Sequence, residues 1–258
     1  TPVDVVVSNV AGGGGTVGAA DCLKYDADGS YMLALNPSPT YVSTKDKPLT
    51  FDILKDYEFA AIMVQDQRLF VTSAKNTNFQ TVEEAIEYGK ANPGKFNIGC
   101  SGTGNSAYAT AEEFLEKTGI EGNVVPFDGS SEAKSAVLGG HIDVAVQSLS
   151  DVSSSMNEVT ILATGGEERF SKTPDVPCMT ELGFPMAQYV TRGYAFKAGT
   201  DSAIINYWSD KIGEVCENEA FLKEADSLGL PIVYMNHEEA QEDAKTEMAT
   251  YQEKFGDK

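Results

Sequence analysis

Apolar positions along this chain switch repeatedly between two periods. Short β-branched or aromatic runs that suit strands alternate with stretches where apolar residues recur three or four apart, as on one face of a helix. Val3 to Ser8 is the first such run, and it ends at the glycine cluster "AGGGGTVGAADC", after which Val17, Ala20 and Leu23 repeat at helical spacing. Strand, turn and helix are expected there. Tyr31 to Leu35 reads as a second strand, and "NPSPT" after it is a loop, because its prolines continue neither kind of element. Tyr57 to Gln65 and Arg68 to Thr72 are further strands. Thr81 opens a helix with a capping box: its hydroxyl accepts from the third helical amide while Glu84 reaches back, and Val82, Ala85 and Ile86 form one apolar face.

The same alternation continues to the end of the chain. "KFNIGCSGTGNSAYATAEEF" (Lys95 to Phe114) reads as strand, glycine turn and helix. The strand "NVVPFD", a helix over about Ser131 to Leu138, and the strands "IDVAVQ" and "VTILAT" follow. A strand over Tyr189 to Phe196 leads into a helix on which Ile204, Ile205, Trp208, Ile212 and Val215 share a face. "LPIVYM" and a charged helix over His237 to Lys254 complete the pattern. Strands alternating with helices predict an α/β fold built on mostly parallel sheets.

Composition narrows the partners. The 258 residues carry 39 acidic against 19 basic side chains, a formal charge of −20, which argues against nucleic acid or an anionic membrane surface as a partner. An anionic ligand then needs local dipoles and a few well placed cations. No window resembles a membrane span or a signal peptide, so the chain reads as mature or trimmed. Cys22, Cys100, Cys178 and Cys216 are widely spaced with no CxxC pair, so buried free thiols are expected rather than a zinc site or disulfide framework. Neither HExxH nor an EF-hand loop is present, and no metal is expected.

The turn over Ser101 to Ser106 supports three chemistries. Gly102, Gly104 and Ala107 spell GxGxxA after a strand, and Asp128 ends the next strand where a ribose-binding acid belongs, so an NAD(P)-binding oxidoreductase of Rossmann type is one reading. The fingerprint usually opens such a unit, however, and here about a hundred residues of α/β structure precede it. Nucleophilic catalysis by Cys100 or Ser101 needs a base, and only His141 and His237 exist. Plain anion binding uses the free amides of a helix N-terminus, with Ser101, Thr103, Asn105 and Ser106 adding donors. Arginine occurs only at Arg68, Arg169 and Arg192. Arg192, inside the apolar run "YVTRGYAF", needs a partner, either a carboxylate ligand or an acidic side chain.

The blocks "GGGGTVGA", "DADGSYMLAL", "KANPGKFNIGCSGTGNSAY", "VVPFDGSSEAKSAVLGGHIDVAVQSLS", "TPDVPCMTELGFP" and "AFKAGT" run in one order over nearly the whole chain. In that order they resemble the extracytoplasmic receptors of tripartite tricarboxylate transporters, the Bug receptor family. The resemblance implies a two-lobed, Venus-flytrap fold of the type II periplasmic binding proteins, located in the periplasm or at the cell surface as a lipoprotein. It implies a small organic acid held between the lobes, delivery to integral-membrane permease subunits, no cofactor and no catalysis. The turn after "NIGCSGTGNS" corresponds to one carboxylate-holding jaw. The opposing jaw lies in a first strand–helix unit ahead of the "GGGGTVGA" block, and the expected fold lacks that unit. Where many relatives carry an acidic or amide pair, this chain has Gln147 and Ser148, which suits a ligand without an amino group.

The lobes are expected at residues 1–95 plus 197–258, and 96–196. Expected ligand-binding residues are Pro37, Ser38 and Thr40 from the first lobe. The second contributes Ser101, Gly102, Thr103, Gly104, Asn105, Ser106, Gln147, Ser148 and Arg192. The "AGGGG" backbone is a further candidate for approach to the ligand, although close packing is the plainer use of its glycines.

Overall fold

The computed structural model describes residues 4–10, 12, 15–41 and 49–255. Its elements in chain order are α1 (Thr16–Cys22), β1 (Leu33–Leu35), α2 (Ile53–Asp56), β2 (Tyr57–Gln67), β3 (Leu69–Ser73), α3 (Val82–Ala91), β4 (Phe96–Ser101), α4 (Ser106–Thr118), β5 (Gly122–Phe127), α5 (Ser130–Leu138), β6 (Val144–Gln147), α6 (Leu149–Val152), β7 (Val159–Thr164), β8 (Tyr189–Lys197), α7 (Ser202–Cys216), α8 (Glu219–Ser227), β9 (Ile232–Met235) and α9 (His237–Phe255). A 3-10 turn spans Ser38–Thr40. The capping box at Thr81 is present, with both hydrogen bonds at 3.2 Å.

The chain forms two compact units, divided at other points than the sequence suggested. One comprises Thr1–Met63, Arg192–Glu214 and Tyr234–Lys258; the other comprises Val64–Thr191 and Val215–Val233. Strand pairing explains the difference: β3 hydrogen-bonds to β6 and β7, so residues expected in the first lobe belong to the second sheet. In the same unit the Val215–Val233 segment is held where Gly229 lies against Leu149 and Ser153, and where Lys172 pairs with Asp226. Arg192, expected in the second lobe, falls in the first unit.

A four-stranded sheet of order β1-β8-β2-β9 underlies the first unit. Gly193 of β8 is required there, because a Cβ at this position would overlap the Ala61 carbonyl of β2. Helix α9 is tied to β2 by Phe59 N donating to Gln241 Oε1 at 3.1 Å, and by a 2.6 Å bond between His237 Nδ1 and the Phe59 carbonyl. Tyr41, buried beside it, donates to Glu247 at 3.0 Å.

Three sequence expectations change, two in this unit and one at the end of α7, which passes into the other. Residues 4–10 take no regular structure and Val5, Val6 and Val7 are exposed: a β-branched run becomes a strand only where a partner edge meets it. Ala19, rather than Val17, is the buried residue of α1, and Val215 is exposed while Cys216 takes the inner place on α7. Of the glycine cluster, Ala11, Gly13 and Gly14 lie outside the described residues, and with them the expectation for that backbone.

The second unit carries a five-stranded sheet of order β5-β4-β6-β3-β7. β4 runs parallel to both β5 and β6, whereas β3 is antiparallel to β6 and β7. The expected mostly parallel sheet therefore contains one reversed strand. The two-residue pleat sorts its side chains between two cores. Phe70, Ile98, Val144 and Val146 pack with Ala107, Ala111 and Phe114 of α4, while Leu69, Val71 and Ala145 pack with Ala136 and Val137 of α5. Helices α4 and α5 thus cover opposite faces, and their N-termini meet the same edge of the sheet, where β4, β5 and β6 end.

Candidate functional site

That edge is where open α/β sheets bind ligands, beside the strand from which the chain runs outward and then returns on the other side. Here the strand is β4, since the chain goes out to β5 and comes back past β4 to β6.

The turn after β4 is shaped for backbone donors. Gly102 and Gly104 have φ of +73° and +66°, a left-handed conformation that glycine adopts without penalty. Gly102 N donates to Phe127 O at 2.7 Å, which fastens the turn to the end of β5. Asn105 is the N-cap of α4: its Oδ1 accepts from Tyr108 N at 3.0 Å and its Nδ2 donates to Ser101 O. Asn105 is therefore occupied in building the turn. Among the described residues, the amides of Thr103, Gly104 and Ala107 have no protein acceptor. A cluster of such amides at a helix N-terminus favours an anion.

The cation beside this turn is Arg68, which sequence reasoning passed over in favour of Arg192. Arg68 stands two residues before Phe70, so the pleat turns it toward α4, and its guanidinium donates to Ser106 Oγ. The residue is buried. Its backbone is held on both sides, with Arg68 N donating to Gln188 O at 3.0 Å and Gly165 N donating to Arg68 O at 2.7 Å. The usable signal was an arginine directly abutting a wholly apolar strand, "RLFV".

Gln147 and Ser148 end β6 on the same edge, and Gln147 is opposite Leu69 in the β3 register. Both are fully buried. Ser148 is committed to capping α6, its hydroxyl donating to Asp151 at 2.7 Å. Gln147 Nε2 donates to Ser130 O at 3.3 Å at the start of α5, and its Oε1 has no partner among the described residues. Thr164, opposite Leu69 on the other side of β3, also has a buried hydroxyl without a partner among the described residues. Sequence reasoning missed Thr164, because its place on the edge follows from the non-local β3–β7 pairing.

The expected residues of the first unit lie at the 3-10 turn over Ser38–Thr40 and in β8. Pro37, Ser38 and Thr40 are buried, Ser38 Oγ donating to Asn36 Oδ1 at 3.0 Å and Thr40 Oγ1 to Pro37 O at 2.5 Å. These hydroxyl protons shape their own loop. Arg192 is half-buried in β8.

Catalytic alternatives find no support in this geometry. Burial pushes the Cys100 thiol up to about 12, outweighing the opposing pull of the Arg68 charge, so it is not a thiolate near neutral pH. A thiol reagent at pH 8 is expected to leave Cys100 unmodified in the native protein and to label it in denaturant, as read by peptide mass mapping. Rapid native labelling would contradict its burial. For the dinucleotide reading, the sheet continues beyond β6 with antiparallel β3 where a Rossmann unit adds another parallel strand. Among the described residues no cluster of His, Cys, Asp and Glu is arranged to hold a metal, and no helix is long and apolar enough to cross a membrane.

Comparison with known proteins agrees with the receptor reading. Residues 2–253 match the family described as "Tripartite tricarboxylate transporter family receptor". A relative from Cupriavidus necator, "UPF0065 protein in gbd 5'region", is 29% identical over 261 residues, covering 98% of this chain and 78% of that protein. Among solved structures, "R. palustris Rpa4515 with adipate" superposes with a TM-score of 0.87 at 19% identity, covering 96% of this chain and 84% of the other. "MatC (Rpa3494) from Rhodopseudomonas palustris with bound malate" gives 0.80 at 18% identity, with 94% and 84% covered. The fold is the two-lobed α/β fold of periplasmic binding proteins, and the Rossmann oxidoreductase reading is set aside.

Proposed function

Because the chain belongs to the tripartite tricarboxylate transporter receptor family, a family of solute receptors rather than enzymes, we propose that it captures a small di- or tricarboxylic acid outside the cytoplasmic membrane and delivers it to the permease subunits of such a transporter. The observation that carries this reading is the α4 turn, where backbone amides with no protein acceptor among the described residues stand beside the buried cation Arg68. A carboxylate leaving water is costly unless each oxygen finds donors, and here amides supply them with no side-chain rearrangement. The overall charge of −20 makes such local donors necessary.

In this reading Ser101, Gly102, Thr103, Gly104 and Ser106 form the cradle for one carboxylate, with Asn105 as its cap. Gln147 and Ser148 border the same edge. Gln147 Oε1, without a partner among the described residues, is an acceptor, so it favours an acid that also carries a hydroxyl and offers nothing to a second carboxylate. Pro37, Ser38, Thr40 and Arg192 are the ligand-binding residues proposed from the first unit. The solved relatives named with adipate and malate support a dicarboxylate.

Calorimetric titration with succinate, malate, adipate, citrate, aspartate and NAD tests the proposal. Saturable binding of at least one of the non-amino acids is expected, with malate tighter than succinate and no heat from NAD. Binding of NAD alone, or of aspartate in preference to malate, would overturn it.

A further inference from the structure

Behind the first turn of α4 runs a buried polar chain that the carboxylate cradle does not itself use. Thr110 Oγ1 donates to Ser106 O at 2.6 Å and also lies 3.2 Å from Gln188 Oε1. Gln188 Nε2 donates to Glu113 Oε2 at 2.6 Å, and Lys117 Nζ stands 3.8 Å from the other Glu113 oxygen. Thr110, Gln188 and Glu113 are all buried. The amide's orientation is determined by its neighbours: a carboxylate only accepts, so the nitrogen must face Glu113 and the oxygen Thr110.

Gln188 is also a backbone junction. Its carbonyl accepts from Arg68 N at 3.0 Å and its amide donates to Gly165 O at 2.8 Å. One residue therefore holds the segment bearing the cation through its main chain and the helix bearing the amides through its side chain. Beside this chain, Ala107, Ala111 and Phe114 give α4 an apolar packing face. Apolar packing is non-directional and permits small slides along the helix axis, whereas hydrogen bonds select one register.

We propose that Gln188 is the positioning residue of the anion turn: it sets α4 in register with Arg68, so that the amides after Gly102 and the guanidinium converge on one carboxylate. The inference rests on the acid-binding reading above. A site of this kind tolerates misplacement of only about 0.5 Å.

A charge swap tests the assignment. Gln188→Glu sets a second carboxylate against that of Glu113, which already has Lys117 Nζ 3.8 Å away. The double variant Glu113→Gln/Gln188→Glu rebuilds both bonds, since residue 113 then donates to residue 188 and Thr110 keeps its acceptor. Dissociation constants for succinate, malate and adipate are measured at 15 °C on variants whose circular dichroism matches the native protein. The single variant is expected to bind at least about tenfold more weakly, and the double variant to recover to within about threefold. If the single variant does not fold, Glu113→Gln/Gln188→Met, uncharged and lacking both bonds, takes its place with the same expected loss. A merely structural role lowers the melting temperature and leaves these constants unchanged. Native affinity in the folded single variant or its substitute, or a swap no better than the single change, would overturn the proposal. A native chain that binds none of the three acids would overturn the underlying reading with it.

Discussion

Arg68→Met is expected to abolish most acid binding. Removing one partner of a desolvated, hydrogen-bonded charge pair costs about 2–5 kcal/mol, which corresponds to roughly 30-fold to several thousandfold in the dissociation constant. Methionine retains much of the buried aliphatic volume, so the fold should survive; circular dichroism and a thermal melt check this. Lysine is expected to rescue poorly, because it lacks the planar fork that engages Ser106 and a carboxylate together. The same titration on Arg192→Met separates the two arginines. The Arg68 guanidinium meets Ser106 at the start of α4, so the larger loss should fall there. An unchanged affinity in folded Arg68→Met would reduce that residue to a support for Ser106.

The second large effect is on stability. Phe114 is fully buried on the inner face of α4, with its ring 4.6 Å from that of Phe70 and 6.4 Å from that of Phe96. Phe114→Ala should destabilise the protein by about 3–5 kcal/mol, through lost transfer energy and the cavity left behind. Urea unfolding reads this as a lower midpoint at similar slope. A loss below about 1 kcal/mol would mean that the site closes over the gap and that α4 is held chiefly by its polar contacts. Phe70, Phe96 and Phe114 come from β3, β4 and α4, so the aromatic cluster joins the strand that follows Arg68 to the helix that receives it.

How much of this was legible in the sequence depends on how local each feature is. The Thr81 capping box is a four-residue motif and forms as expected. Most strands and helices follow from their periods, and the glycine turn after β4 follows from Gly102 and Gly104. Pairing between distant strands leaves no such trace. Nothing in "RLFVTS" says that β3 will run antiparallel beside β6, yet that pairing moves residues 64–95 into the second unit and brings Arg68 to Ser106. Arg192 stood out because it lies inside the apolar run "YVTRGYAF", whereas the place of Arg68 follows from non-local pairing. Val5 to Val7 have ideal strand composition and no strand.

The central claim is that the turn at the start of α4 receives a carboxylate. The most direct measurement is an amide-resolved nuclear magnetic resonance titration with the acid that calorimetry finds to bind most tightly. The amide signals of Thr103, Gly104 and Ala107, together with Arg68 Nε, should shift and saturate at the calorimetric dissociation constant. Acid binding that leaves those four signals unmoved while others shift would contradict the account.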